Sequence, residues 1–134
     1  RMMRYLLDTD TVIYVIKNRT PQMQKKFSQH AGHLAISAIT MAELMFGAEK
    51  SSQVSKNLAV IEDFCCRLDV LPYASKAAQH YGLIRSGLQK IGQVIGGNDM
   101  HIAAHARSEG LILVSNNQRE FGRVPGLLLE NWLE

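Results

Sequence analysis

Four polar residues, each at or soon after the end of an apolar run, are placed where an α/β protein could do chemistry. They are Asp8, Glu43, Asp99 and Asn117. If the apolar runs are parallel strands, their carboxyl ends share one sheet edge, and open α/β sheets bind ligands there. Three carboxylates that meet at such an edge repel one another unless a divalent cation neutralises them. The placement therefore predicts a metal site formed by Asp8, Glu43 and Asp99.

The donor atoms of this site are all oxygens, which suits Mg²⁺ or Mn²⁺ rather than zinc. Magnesium binds through a few carboxylates together with waters and substrate phosphates. A bound ion of this kind lowers the pKa of a water and offsets the charge that builds up on a phosphodiester. The sequence thus indicates phosphoryl chemistry on a polyanion.

Each acid also has a structural interpretation, which the sequence alone leaves open. Asp8 could cap the helix that follows it, although this leaves the second acid, Asp10, without a role. The segment from Thr40 to Glu43 has the pattern of a capping box. Asp99 could stabilise the first turn of a helix through the helix dipole.

Asn117 follows a strand, where turn chemistry and cation binding are both open to an asparagine. The histidines His101 and His105 are four residues apart on a predicted helix, but no third zinc ligand accompanies them. We expect both to be exposed. Ser37 lacks a nucleophile elbow and a histidine partner, which argues against a serine hydrolase.

Composition and charge describe one ordinary globular domain. The chain has 134 residues, 46% of them apolar and 20% charged, which predicts a single domain spanning 1–134. No stretch is long and apolar enough to cross a membrane or to form a signal peptide. Arg1, which precedes Met2, is interpreted as an added residue. The adjacent cysteines Cys65 and Cys66 are expected to be free thiols in a helix core, which fits the reducing cytoplasm.

The net charge of +3 and the pI of about 9.0 permit contact with nucleic acid without proving it. The basic residues are spread along the chain, so folding has to assemble any basic patch. Candidates for such a patch are Lys17, Arg19, Lys25, Lys26 and Lys50.

Strand and helix patterns alternate along the chain. Short apolar runs predict strands at 5–7, 34–36, 70–71, 111–114 and 127–129. Helical spacing predicts helices at 10–18, 21–30, 40–50, 57–68, 74–91 and 98–109. Alternation of this kind indicates a parallel sheet with right-handed crossovers.

Four short motifs carry a resemblance to a known family. They are Leu7-Asp8-Thr9, the segment SAITMAEL at 37–44, the segment IGGNDMHIA at 95–103, and the segment LVSNN at 113–117, which is followed by Glu120 and Phe121. In this order and at this spacing, the chain resembles the PIN-domain ribonucleases, and specifically the VapC-type toxins of bacterial toxin–antitoxin pairs.

The resemblance implies a three-layer α/β/α fold with a central parallel sheet. It implies Asp8, Glu43 and Asp99 as the acidic, metal-binding and catalytic triad. Asn117 matches a fourth position that is often acidic in this family. Asp10 stands where these toxins commonly have asparagine. The last motif adds Ser115 as a further candidate site residue.

The resemblance also implies an activity and its partners. Such proteins cut RNA with Mg²⁺ or Mn²⁺, and the first expectation for the substrate is the anticodon stem-loop of initiator tRNA. A cognate VapB-type antitoxin, a toxin homodimer and indirect contact with operator DNA through the antitoxin are implied as well. We expect a cytoplasmic protein that does not contact membranes.

Two alternatives remain from the residues themselves. The segment from Asp8 to Val12 resembles the first motif of haloacid-dehalogenase-type phosphatases, with Asp8 as nucleophile and Asp10 as acid/base. A third-motif lysine is missing, the chain is short for that fold, and Glu43 would have no role. The second alternative is a non-catalytic PIN module that binds RNA or a partner, which is supported by Asn117 in place of an acid.

Overall fold

A computed structural model describes residues 2–133, and its centre is a parallel sheet of five short strands. The strands are β1 (Tyr5–Leu7), β2 (Leu34–Ser37), β3 (Asp69–Leu71), β4 (Ile112–Val114) and β5 (Leu128–Glu130). Strands β1 and β2 are buried along their whole length, as continuous apolar runs in a parallel sheet should be. The predicted α/β class and parallel sheet are confirmed.

Seven helices occur among residues 2–133. They are α1 (Thr9–Lys17), α2 (Pro21–Gln29), α3 (Ala38–Glu49), α4 (Val54–Cys65), α5 (Ser75–Lys90), α6 (Gly97–Glu109) and α7 (Gln118–Phe121). No helix in this part of the chain combines the length and apolar character that crossing a membrane requires.

The helices cover both faces of the sheet. Because strand side chains alternate in direction, Leu6 and Leu113 pack into one apolar cluster with residues of α5 and α6. Leu7 and Val114 pack into a second cluster with residues of the first four helices. The sheet therefore lies between two helical layers, which confirms the three-layer α/β/α architecture.

The strand order places a topological switch point beside the central strand. The order is β3-β2-β1-β4-β5, so the chain builds outward from β1 on one side and then returns to add β4 on the other. At this junction Leu7 is paired with Val114. Ligands of open α/β sheets bind outside the carboxyl ends of strands at such a point. Asp8 and Ser115, which follow these two paired residues, are therefore placed in that crevice.

Several element boundaries differ from the sequence prediction. Helix α3 begins two residues early because the Ser37 hydroxyl accepts a hydrogen bond from the Ile39 backbone N–H at 3.0 Å. Helix α4 lies three residues closer to the N-terminus than predicted, and the short helix α7 was not predicted. As a consequence, Cys66 is exposed and Cys65 only half-buried, so the predicted burial of both thiols was wrong.

Candidate active site

Asp8 caps a helix and also lies near the other candidate acids. Its carboxylate accepts a hydrogen bond from the Thr11 backbone N–H at 2.8 Å, which caps α1. The side chain is only 3% exposed and is also hydrogen-bonded to Ser115. Burial raises the pKa of Asp8, and the hydrogen bonds from Ser115 and Thr11 oppose that rise by stabilising the charged form. The two interpretations of this residue therefore coexist.

Glu43 joins three helices at the same edge of the sheet. One carboxylate oxygen accepts a hydrogen bond from the Thr9 hydroxyl at 2.5 Å, and the other accepts from the Asn98 side-chain amide at 3.1 Å. Because α3 begins at Ala38, the capping-box interpretation of the segment from Thr40 to Glu43 was wrong. The carboxylate of Glu43 is instead oriented by residues of α1 and α6.

Asp99 lies in the first turn of α6 and is surrounded by negative charge. Burial, the largest cause, and the charges of four neighbouring carboxylates together raise the pKa of Asp99 to about 6. These carboxylates belong, in decreasing order of influence, to Glu120, Asp8, Glu43 and Asp10. The five largest influences all favour the protonated form. The acids that are distant along the chain therefore share one electrostatic neighbourhood.

The chemistry of this donor set fits a hard divalent cation, because it consists of carboxylate oxygens whose charges add without compensation. The side chains of these acids do not form a metal-binding site in their present positions. Among residues 2–133, no three His, Cys, Asp or Glu side chains are arranged, as they stand, so that they could hold one ion. An ion held by these acids would therefore require local side-chain adjustment.

Glu120 belongs to the fourth sequence motif but was given no role there, and the structure places its charge near Asp99. Asn117 caps α7 by accepting the Glu120 backbone N–H at 3.4 Å, and its amide donates to the Glu120 carboxylate at 3.3 Å. Asn117 thus has the structural role that was one of its two interpretations, since it forms the turn before α7. The negative charge near Asp99 comes from Glu120. The pattern of Asn117 followed three residues later by Glu120 is a capping signal and could have been recognised.

Ser115 and Asp10 border the acids in different ways. Ser115 is fully buried, and its hydroxyl oxygen accepts the Asn117 backbone N–H at 2.9 Å in addition to its hydrogen bond with Asp8. It therefore connects the end of β4 to the end of β1. Asp10 is exposed in the first turn of α1, and its charge raises the pKa values of both Asp8 and Asp99.

The two histidines of α6 are not exposed as predicted. His105 is only 2% exposed, and its Nδ1 lies 2.8 Å from the hydroxyl of Ser37. His101 is half-buried, with its Nδ1 2.7 Å from the Tyr73 hydroxyl and its ring stacked on Tyr81. Ser37 thus has the histidine partner that the sequence did not reveal. It is nevertheless completely buried, so no substrate can reach its hydroxyl.

Gly96, which precedes α6, lies beside the carboxylate of Asp99. A Cβ atom added to Gly96 would lie 3.5 Å from Oδ2 of Asp99, whereas one added to Gly97 would meet nothing within 4 Å. The first glycine therefore borders the acid cluster directly.

Comparison with known proteins identifies the family of the chain. The PIN domain family profile matches residues 5–127. The chain is 58% identical over 132 residues to "Ribonuclease VapC2" of Haemophilus influenzae, a match covering 98% of this chain and 100% of the relative. It is 48% identical to "tRNA(fMet)-specific endonuclease VapC" of Shigella flexneri, covering 98% of this chain and 99% of that protein.

Among solved structures, the chain matches the crystal structure of DNA-bound VapBC from Salmonella typhimurium. That match has a TM-score of 0.96 and 46% identity and covers 98% of this chain and 99% of the other. The expected family is confirmed: the chain belongs to the PIN-domain family and, within it, to the VapC ribonucleases.

Proposed function

We propose that the chain is an endoribonuclease that depends on Mg²⁺ or Mn²⁺ and uses Asp8, Glu43, Asp99 and Glu120. The observation that carries this proposal is the uncompensated charge around Asp99, whose pKa is raised to about 6 by burial and by neighbouring carboxylates. When bound, a divalent ion would neutralise these charges, lower the pKa of an attacking water and offset charge on the phosphodiester.

The residues around the acids have distinct tasks in this proposal. Asp8 and Asp99 would supply ligands from the ends of β1 and α6. Thr9 and Asn98 orient Glu43, and Ser115 fixes the buried carboxylate of Asp8. Each of these contacts reduces the conformational freedom that the site would lose on forming the reactive arrangement.

For the substrate we propose initiator tRNA, cut in its anticodon stem-loop. Support comes from the printed name of the Shigella relative, which describes a tRNA(fMet)-specific endonuclease at 48% identity. A pI of about 9.0 suits a polyanionic substrate that must approach a cluster of acids.

For the partner we propose a VapB-type antitoxin whose apolar segment lies in a groove between α1, α2 and α4. The groove has a volume of about 420 Å³, and Val15, Met23, Phe27 and Phe64 are among the residues that line it. An amphipathic helix in such a groove is a common recognition mode. The Salmonella structure is a DNA-bound VapBC complex, which supports indirect contact with operator DNA. A homodimer, a single domain over 1–134 and cytoplasmic localisation complete the proposal.

One experiment tests both the activity and the substrate. Purified protein is incubated with initiator tRNA and with an elongator tRNA in Mg²⁺, in Mn²⁺ and in EDTA, and the 5′ ends of the products are mapped. We expect one cut in the initiator anticodon stem-loop that needs the ion and is abolished by Asp99→Asn. Equal cutting in EDTA, or by the folded Asp99→Asn variant, would contradict the proposed site.

The same material distinguishes the alternatives. A phosphatase would form a phosphoenzyme on Asp8, and trapping with a phosphate mimic would reveal it. Asp10, its acid/base in that scheme, is exposed in the first turn of α1. A non-catalytic module would bind tRNA without cutting it. The charge of Glu120 beside Asp99 weakens the main argument for that alternative, which was the absence of a fourth acid.

A further inference from the structure

A second group of interacting side chains lies at the other end of β1. Three rings contact one another: Tyr5 and His30 are 4.6 Å apart between ring centroids, and each is 5.0 Å from Trp132. Two cations lie over these rings, with the Arg4 guanidinium 5.4 Å from Tyr5 and the Lys26 ammonium 5.6 Å from Trp132. We call these five residues the cation–ring cluster.

The cation–ring cluster carries an excess of positive charge. Burial lowers the pKa of His30, and the charges of Lys26, Arg4 and His33 lower it further. Glu130 opposes them, but one of its carboxylate oxygens already accepts a hydrogen bond from the Trp132 indole at 2.9 Å. The two ion pairs found among residues 2–133 join Arg67 to Asp63 and Lys76 to Glu109, and neither lies in the cluster.

The cation–ring cluster and the acids lie at opposite ends of the same buried strand. Tyr5 begins β1 and Asp8 follows its end, so about 10 Å of extended chain separates the two at 3.3 Å per residue. The two groups have opposite charges, with an acid cluster at the carboxyl end of β1 and a cation–ring cluster at its amino end.

We propose that the cation–ring cluster binds the phosphate backbone of the RNA substrate away from the cleaved bond. This inference rests on the proposed function. The acids of the catalytic edge repel phosphates, so a long RNA needs positive contacts elsewhere on the same protein. Arg4 and Lys26 supply charges that pair with phosphate oxygens, and the rings hold those charges in place.

The expected contribution is to affinity and orientation rather than to sequence choice. Contacts to phosphate position a nucleic acid but carry no base information. They also make binding dependent on salt, because each neutralised phosphate releases counterions. The cluster should therefore affect how tightly RNA binds and how strongly salt weakens that binding.

The test is a charge-matched pair of double variants in the Asp99→Asn background. One variant is Arg4→Gln with Lys26→Gln. The control is Lys56→Gln with Lys90→Gln, which removes two exposed charges from α4 and α5. Fluorescence anisotropy measures binding of labelled full-length initiator tRNA at four salt concentrations, and thermal unfolding verifies that each variant folds.

We expect the first double variant to bind the tRNA about ten-fold more weakly than the control. We expect the slope of log affinity against log salt to become shallower by about 1 to 2, as the loss of one or two phosphate contacts predicts. Equal affinities and slopes in folded variants would overturn the inference. Unchanged RNA binding with loss of a co-purified antitoxin would overturn it as well and would assign the cluster to a protein partner.

This measurement is independent of the proposed cleavage. If the unsubstituted chain binds tRNA through the cation–ring cluster but never cuts it, the proposed function fails and the inference about binding stands. If the unsubstituted chain cuts tRNA and both double variants bind equally, the inference fails alone.

Discussion

The hydroxyl of Thr9 donates a hydrogen bond to the carboxylate of Glu43 across 34 positions of sequence. Thr9 directly follows Asp8, so the residue that begins α1 also orients an acid of α3. The same hydroxyl is 3.1 Å from that of Thr40, and Asn98 of α6 holds the second oxygen of Glu43. The orientation of this carboxylate therefore depends on how α1, α3 and α6 pack together.

Thr9→Val tests this relationship by removing the hydroxyl with little change in shape. We expect the free energy of unfolding to fall by about 1 kcal/mol, the usual contribution of such a hydrogen bond, and RNA cleavage to slow by about ten-fold. Thr9→Ser keeps the hydroxyl and should retain most of the activity. Equal cleavage by the valine and serine variants would show that the hydrogen bond does not position Glu43.

Removing the charge of Asp99 should change how stability depends on pH. The pKa of Asp99 is about 6 in the folded protein and 3.8 ordinarily, so the folded state binds this proton more tightly. Stability in EDTA should therefore fall as the pH rises from about 4 to about 6, by an amount on the order of 2 kcal/mol. Asp99→Asn should reduce that fall, as thermal unfolding across this range would show.

The same titration provides a test of the metal. At pH 7 the carboxylates repel one another, and a divalent ion that binds the folded state should stabilise it by mass action. Millimolar Mn²⁺ should raise the melting temperature of the unsubstituted protein clearly more than that of Asp99→Asn. Equal shifts in the two proteins would contradict a site that includes Asp99.

Glu120→Gln tests the acid that the sequence interpretation overlooked. Among the neighbouring charges, the carboxylate of Glu120 has the largest influence on Asp99. Its removal should move the pKa of Asp99 down from about 6 towards its ordinary range and slow cleavage about ten-fold. Carbon-detected NMR titration of the carboxyl groups measures the pKa directly.

The control for that change is Glu62→Gln, which alters an exposed acid of α4. It should change neither the pKa of Asp99 nor the rate. A Glu120→Gln variant that behaves like this control would remove Glu120 from the site.

Ser115→Ala tests the support of the buried Asp8 carboxylate. The serine hydroxyl is fully buried and stabilises the charged form of Asp8, so its loss should raise the pKa of Asp8 further. We expect the free energy of unfolding at neutral pH to fall by about 1 to 3 kcal/mol, because a buried charge loses a partner. Ser52→Ala, at an exposed position, should be neutral in the same denaturant titration.

The acids at the sheet edge could be predicted because they depend on local patterns. Asp8 directly follows a run of three buried residues, and the parallel sheet brings the ends of such runs together. The partners of Glu43 could not be predicted, because Thr9 and Asn98 meet it only through the packing of α1, α3 and α6. Side-chain pairs of this kind have no signature in the spacing of residues.

The burial of His105 was missed for a different reason. Exposure was expected because no third zinc ligand accompanied the two histidines of α6. The helix lies between the sheet and α5, and the five consecutive residues from Ile102 to Ala106, which span more than one turn, are all buried. Such a helix is buried all round, and its polar residues must find partners inside the protein. The alanine-rich composition of α6 was the available signal.

The pairing of β1 with β4 determines when, during synthesis of the chain, the acid cluster can assemble. The Thr11 hydroxyl donates a hydrogen bond to the carbonyl of Val114, 103 positions later in the sequence. The Asp8 carboxylate is hydrogen-bonded to Ser115, the residue after Val114. A growing polypeptide on the ribosome therefore lacks a complete reactive centre until translation of nearly the whole message is finished. The topology thus delays assembly of the acid cluster until the region around Val114 has been synthesised.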